Sequence, residues 1–321
     1  MVNQFFEYLN KPHWRRQNTW RRAIWRNMAR LGLTGMHALP VNRRWVDIHR
    51  RAMPLANLDP TLTGWKIVQI SDLHYSPVVW QRYLIQYLRW VNELKPQLVV
   101  ITGDLITGGY RFANRIATLL SHVKAEHGVV CTFGNHDYSI YGKRVNGEGV
   151  RRADYLESRL RKRGLIVLRN ETLRVKPPGA KSQLVIVGLD DEWSGNIDPA
   201  KAFAGVDASL PIICLNHNPA NVRELMNFPW QWMLSGHTHG RQVGTSKLGR
   251  KLYPHRFRHY THGYYSVSGR HLYVNRGLSY GQRVLDWCRP EITVFRLESA
   301  TSAKPSSTVM ARSAALRTAA K

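Results

Sequence analysis

Residues 66–74 read KIVQISDLH, a short apolar run that ends in an aspartate and a histidine. Similar runs end in polar residues at 97–104, which read QLVVITGD, and at 128–137, which read GVVCTFGNHD. Runs rich in Val and Ile predict buried strands, and apolar residues at helical spacing in 80–94 and 116–123 predict helices between them. Later apolar runs lie too close together for a helix between each pair. The sequence therefore predicts a mixed α/β fold with layered sheets and helices outside.

Metal-binding residue types follow five of the predicted strands. They are Asp72 and His74, Asp104, Asn135 with His136 and Asp137, His217, and His237 with His239. Each motif alone is more typical of a cap or a turn than of a ligand. Because strand ends in α/β proteins commonly converge on one site, the five motifs together predict a shared metal centre.

The types of side chain in this set indicate the metals and the chemistry. Carboxylate, imidazole and amide ligands without thiolate suit Mn, Fe or Zn. A carboxylate between two sites can bridge two ions about 3.5–4 Å apart, which clamp the attacking and leaving oxygens of a phosphoryl displacement. The set therefore favours a substrate that carries phosphate over a peptide. Cys131, Cys214 and Cys288 stand apart from one another and predict free thiols in a reducing compartment.

The composition is that of a folded protein with an unusually high positive charge. Hydrophobic residues make up 43% of the 321 residues, which excludes wholesale disorder. Lys and Arg number 47 against 21 Asp and Glu, a formal net charge of +26. A charge of this size favours anionic partners, namely nucleic acid, phospholipid headgroups or phosphorylated substrates.

The chain divides by composition into three parts. Residues 1–64 form a basic segment rich in Trp and Arg, residues 65–298 carry the motifs, and residues 299–321 read as a disordered basic tail. A short helical stripe at residues 20–31 leaves two interpretations open, contact with an anionic membrane surface or packing on the main domain. No run reaches about 18 apolar residues, so the sequence predicts no membrane span. The basic, Trp-rich segment leads us to expect a cytoplasmic protein, peripheral on the inner membrane.

Taken in order, the five motifs resemble the calcineurin-like metallophosphoesterase superfamily over residues 65–298. The resemblance implies a four-layer α-β-β-α sandwich with two divalent metal ions, manganese first among the candidates. It implies that the first metal is held by Asp72, His74 and His239, and the second by Asn135, His217 and His237. Asp104 would bridge the two metals. His136 would act on the scissile phosphate without binding metal, and Asp137 would orient it.

Further motifs resemble one bacterial branch of that superfamily, whose members are often membrane-associated phosphodiesterases. The likeness lies at residues 70–74, 168–171, 188–191, 273–278 and 289–292. The branch includes enzymes similar to a UDP-2,3-diacylglucosamine pyrophosphatase of lipid A synthesis. It implies hydrolysis of a phosphodiester or pyrophosphate bond, with a nucleotide-linked lipid as one substrate.

Two arginines are candidates for binding the substrate. Arg241 stands where the branch commonly has glycine, and its guanidinium suits a phosphate group. Arg276 could grip an anionic substrate or take part in a structural ion pair; both interpretations remain open.

Two other functions compete with this one. A nuclease of the same superfamily would fit the net charge. A binding scaffold that has lost catalysis would lack some ligands, whereas all seven ligand positions and His136 are present here.

Overall fold

The computed structural model describes residues 46–300, apart from 78, 80, 141–146, 242–258 and 280–288. Residues 1–45, with the helical stripe whose two interpretations stay open, lie outside these residues, as do residues 301–321, most of the tail predicted to be disordered. No helix in the described part of the chain is long and apolar enough to cross a membrane.

The described residues form twelve strands and four α-helices. The strands are β1 (Asp47–Leu55), β2 (Lys66–Ile70), β3 (Leu98–Thr102), β4 (Val129–Thr132), β5 (Ile166–Val167), β6 (Glu171–Val175), β7 (Leu184–Gly188), β8 (Ile212–Leu215), β9 (Trp232–Ser235), β10 (Gly263–Val267), β11 (Arg270–Val274) and β12 (Glu291–Ser299). The helices are α1 (Gln81–Glu93), α2 (Tyr110–Leu120), α3 (Gly147–Arg161) and α4 (Pro199–Ala202). Short 3-10 turns lie at Pro60–Leu62, Pro219–Val222, Glu224–Asn227 and His239–Arg241.

The strands form two six-stranded mixed sheets. The first has the order β1-β12-β2-β3-β4-β5, and the second has the order β10-β11-β9-β8-β7-β6. Strands β2 to β5 are parallel neighbours in the first sheet. Strands β7, β8, β9 and β11 are parallel neighbours in the second. Both sheets therefore present the C-terminal ends of parallel strands, which is where the predicted ligands lie.

Three hydrophobic clusters separate the layers. Val99 of β3 packs with Leu84 of α1 in the cluster between the first sheet and helices α1 to α3. The next residue, Val100, points to the other face and packs with Ile213 of β8 between the two sheets. Phe203 lies in a third cluster, where α4 and the 3-10 turns cover the second sheet. The expected α/β layering is confirmed, and the continuous apolar strands follow from burial on both faces.

The first sheet begins before residue 65, the boundary predicted from composition. Strand β1 pairs in parallel with β12 along its whole length, from Asp47 opposite Glu291 to Leu55 opposite Ser299. Met53 and Leu55 are buried between the sheets, so residues 47–64 belong to the folded domain. The polar start of this edge strand resembles a solvated segment in sequence, because residues 48–50 are exposed.

Candidate metal centre

The loops after β2, β3, β4, β8 and β9 meet where the two sheets face each other. The side-chain amide of Gln69 donates to the Ser235 carbonyl (3.0 Å) and so joins β2 to β9. The ring Nδ1 of His217 lies 2.7 Å from the Thr102 carbonyl at the end of β3. These buried hydrogen bonds fix the ends of one sheet against those of the other. Ligands from both sheets can therefore share one site.

A first group of ligand atoms lies within 4.8 Å of one another and comes from Asp72, His74, Asp104 and His239. The Nε2 atoms of His74 and His239 are 3.0 Å apart. His239 Nε2 is 3.3 Å from Asp72 Oδ1, and His74 Nε2 is 3.4 Å from Asp104 Oδ2. Adjacent ligands bound at about 2.1 Å in an octahedral site are about 3 Å apart. The group is therefore spaced as the ligands of one ion.

A second group comprises Asp104, His217 and His237. His217 Nε2 lies 3.2 Å from Asp104 Oδ2 and 3.3 Å from His237 Nδ1. The same Asp104 oxygen therefore faces both groups. Its other oxygen, Oδ1, accepts a hydrogen bond from the backbone N–H of His136 (2.9 Å). This arrangement is the one that a bridging carboxylate requires.

Within the described residues, the side chain of Asn135 has a free acceptor, as a predicted metal ligand needs. Its Nδ2 donates to the Ile140 carbonyl (2.7 Å), which turns Oδ1 in the other direction. Oδ1 is buried and has no hydrogen-bond partner within the described part of the chain. Since a buried carbonyl oxygen without a partner costs free energy, its position is explained by a bound ion. The residues present thus fit two divalent metals. The assignment of the seven side chains as ligands stays a prediction.

The backbone of the site is held in an uncommon conformation. Five ligand residues have positive φ angles between 43° and 70°, namely Asp72, His74, Asp104, His237 and His239. Non-glycine residues rarely adopt this region, and the strain concentrates at functional sites. The turns at the strand ends are thus less stable locally, and this conformation directs the five side chains into the site.

The buried carboxylates and imidazoles strongly perturb one another. Burial raises the pKa of Asp72 to about 7, although His217 opposes the shift. Burial alone would also raise the pKa of Asp104, but His217, His136 and His74 hold it well below its usual value. In turn, Asp104 outweighs burial and raises the pKa of His217 to about 10. The Asp104 carboxylate is the main negative charge of the centre.

His136 lies beside the first group, and its ring packs edge-on against His74 with centroids 4.5 Å apart. The backbone of Thr107 hydrogen-bonds this imidazole. Asp137 was predicted to orient His136, but its carboxylate accepts hydrogen bonds from the backbone instead. Its two oxygens accept from the N–H groups of Ile106 (3.1 Å) and Gly134 (3.0 Å). Thr107 therefore orients His136, while Asp137 fixes the loop that carries it.

The predicted role of Arg276 in substrate binding is not supported. Its Nε donates to Glu291 Oε2 (2.6 Å) and its Nη2 to Asp47 Oδ2 (3.0 Å), and the residue is buried. The guanidinium thus ties the loop after β11 to β12 and β1 through structural ion pairs. Arg241 ends the 3-10 turn at His239–Arg241. Its side chain lies outside the described part of the structure, so its contact with phosphate stays a prediction.

Two glycines bring the backbone close to the ligands, a role that sequence reasoning did not assign. A Cβ on Gly134 would lie 2.4 Å from Asp104 Oδ1, and one on Gly236 would lie 2.4 Å from Asp72 Oδ2. Trp193 was also missed; its ring packs against His237 with centroids 4.9 Å apart. The position of each glycine directly before a ligand motif was the available signal, whereas no local pattern marks Trp193.

Comparison with known proteins agrees with this geometry. The calcineurin-like phosphoesterase family matches residues 66–241. The metallophosphoesterase YkuE of Bacillus subtilis is 35% identical over 241 residues, which span 74% of this chain and 80% of the relative. Phosphodiesterase YaeI of Escherichia coli is 30% identical over 258 residues (79% and 88%). UDP-2,3-diacylglucosamine pyrophosphatase LpxG of Chlamydia trachomatis is 30% identical over 280 residues (73% and 84%).

The family match covers more than half of the chain, and it contains the ligands from β2 to the turn after β9. The chain therefore belongs to the calcineurin-like phosphoesterase family, and it is a metal-dependent hydrolase of phosphoester bonds.

Proposed function

We propose that this protein hydrolyses a phosphodiester or pyrophosphate bond with two divalent metals, Mn²⁺ foremost. The observation that carries the proposal is the single Asp104 oxygen that faces both ligand groups, 3.4 Å from His74 Nε2 and 3.2 Å from His217 Nε2. When bound, the two ions would supply positive charge for the phosphoryl oxygens and lower the pKa of water. The complete ligand set argues against a non-catalytic scaffold.

The residues around this centre have distinct tasks in that reaction. His136 either stabilises charge on the phosphoryl group or donates a proton to the leaving oxygen, while the Thr107 backbone keeps its ring in place. Asp137 holds the backbone at Gly134 and Ile106 and so keeps the His136 loop rigid. Arg241 contacts the substrate phosphate from the end of the turn that carries His239.

For the substrate, we infer a nucleotide-linked amphiphile such as UDP-2,3-diacylglucosamine, an intermediate of lipid A synthesis. The support is the similarity to LpxG, which is named for that activity. The basic, Trp-rich segment at residues 1–45 would place the enzyme on the cytoplasmic face of the inner membrane. The rival substrate is DNA or RNA, which the net charge of +26 also favours.

A substrate panel tests this proposal. Purified full-length protein with Mn²⁺ is offered bis(p-nitrophenyl) phosphate, UDP-2,3-diacylglucosamine, DNA and RNA. We expect metal-dependent turnover of the simple diester and fastest turnover of the UDP-lipid, which should also support growth of a strain lacking that hydrolysis. Preferential cleavage of nucleic acid would replace the substrate assignment.

Two variants test the assigned chemistry in the same assay. Asp104→Ala should abolish turnover of every substrate. Asp207→Ala is the matched control, because that carboxylate accepts only from the nearby Ser209 in the described structure. Full activity of Asp104→Ala, or no metal-dependent turnover by the parent protein, would refute the proposal.

A further inference from the structure

Helices α1, α2 and α3 cover the outer face of the first sheet. All the basic residues in these helices are arginines. These helices contain eight arginines, no lysine and four acidic residues. Six of the arginines are exposed. One of them, Arg161, is paired with Glu157 and Glu171; the other five form what we call the arginine face: Arg82, Arg89, Arg111, Arg115 and Arg151.

Three of the four acidic residues on these helices are paired with arginines outside the arginine face. The pairs are Glu148 with Arg152, Glu157 with Arg161 and Arg169, and Asp154 with Arg169. The fourth, Glu93, ends α1. With eight arginines against four acidic residues, the three helices carry a net charge of +4.

The opposite side of the molecule lacks this excess of positive charge. Residues 189–231 include α4 and two of the 3-10 turns over the second sheet. The exposed charged residues there are three acidic and two basic: Asp198, Asp207, Glu224, Lys201 and Arg223. The high net charge is therefore not spread evenly over the folded domain. Such asymmetry orients a protein in the field of an anionic surface.

The arginine face reaches the edge that holds the metal centre. Arg82 and Arg111 lie in the first turns of α1 and α2, which follow the ligand loops after β2 and β3. The positive end of the helix dipole disfavours a cation there, and neither first turn contains an acidic residue to offset it. An arginine at each of these positions thus lowers the local stability of its helix, which indicates that the positive charge has a functional role.

Aromatic rings accompany the arginines on this surface. The guanidinium of Arg82 lies 5.0 Å from the ring of Tyr83, and that of Arg111 lies 4.6 Å from the ring of Phe112. Tyr110 is 37% exposed, one of two large hydrophobic side chains in the described structure that are exposed. Arginine together with tyrosine at the surface suits a lipid interface, where the rings lie at headgroup level and the cations meet phosphates.

We propose that the arginine face binds an anionic phospholipid surface and brings the metal-centre edge of the protein to the membrane. This role is independent of the segment at residues 1–45. It would give the enzyme access to an amphiphilic substrate, as the proposed function requires, but the binding itself needs no turnover. A nucleic acid is the rival occupant, and the rings beside the arginines favour lipid.

Vesicle sedimentation of the full-length protein tests the proposal. The vesicles are phosphatidylcholine alone or phosphatidylcholine mixed with phosphatidylglycerol. The double variant Arg111→Glu/Arg115→Glu should lose at least about 25-fold in affinity for the mixed vesicles, at about fivefold for each arginine removed from the surface. Lys201→Glu/Arg223→Glu, the same charge change on the opposite side, should lose little. Both variants should keep the unfolding temperature and the soluble diester turnover of the parent.

Two outcomes would overturn the proposal. If both double variants bind the mixed vesicles equally well, the face plays no part in the association. If the parent protein binds a DNA or RNA duplex through Arg111 and Arg115 but does not bind the vesicles, the face is a nucleic-acid surface. Loss of diester turnover by the parent with vesicle binding intact would contradict the proposed function and leave this inference standing.

Discussion

Replacing Gly134 with alanine tests how closely the backbone must approach the bridging carboxylate. An added Cβ would lie 2.4 Å from Asp104 Oδ1 and 2.6 Å from His217 Nε2. Both atoms belong to buried side chains whose positions are fixed by hydrogen bonds, to the His136 N–H and to the Thr102 carbonyl. The methyl group therefore cannot be accommodated without displacing a ligand or the His136 loop.

The size of the effect follows from these distances. An ordinary van der Waals contact begins at 3.4 Å, so the Asp104 contact must open by about 1 Å. A displacement of about 1 Å in a catalytic site lowers the rate by about 100-fold. We expect Gly134→Ala to lower kcat/KM for bis(p-nitrophenyl) phosphate by about that factor and to weaken Mn²⁺ binding in calorimetry.

A second glycine provides the control. Gly205→Ala adds a methyl group with nothing within 4 Å, at a positive φ angle, so it should cost some stability and leave activity unchanged. Circular dichroism and thermal unfolding verify that each variant is folded. A folded Gly134→Ala protein with the parent's Mn²⁺ affinity and turnover would refute the close-approach argument.

Three further outcomes are expected. His136→Gln should lower kcat by about 100-fold or more while Mn²⁺ stoichiometry in calorimetry stays at the parent value; loss of a metal would show that His136 is a ligand. Arg276→Ala should lower the free energy of unfolding in urea by about 3–5 kcal/mol, because it leaves Glu291 buried without its cation. An unchanged KM for the soluble diester would show that Arg276 has a structural role and does not bind substrate. Burial would raise the pKa of Glu291, but Arg276 and Tyr273 lower it below its usual value. The stabilising contribution of this carboxylate is therefore present above the pKa it has in the unfolded chain and is lost as the pH falls through its pKa in the folded protein. The urea midpoint should thus fall less steeply between neutral and acidic pH in Glu291→Gln than in the parent, and equal slopes would contradict this.

The sequence allowed the metal centre to be predicted because each ligand follows its strand within a few residues. Strand periodicity places Asp72, Asp104 and His237 at strand ends, and parallel pairing brings those ends to one edge. The grouping around Asp104, which the family resemblance implied, appears in the structure as two groups of side chains. The apolar strands could be predicted equally well, because burial on both faces requires continuous runs of apolar residues such as residues 98–102.

Contacts between residues far apart in the sequence could not be predicted in the same way. Strand β1 looks like part of a basic leader because its partner, β12, lies more than 200 residues away. Arg276 looked suited to a phosphate because nothing local shows Asp47 and Glu291 beside it. Asp137 follows His136 directly, yet its carboxylate turns to backbone N–H groups that only the folded loop brings near.

Metal content tests the central claim most directly. The purified protein, reconstituted with Mn²⁺ and freed of excess metal, is measured by elemental analysis beside Asp104→Asn. Since one Asp104 oxygen faces both ligand groups, we predict two ions per chain in the parent protein and weakened binding of both in the variant. Fewer than one ion per chain in the parent, or two tightly held ions in Asp104→Asn, would contradict the account.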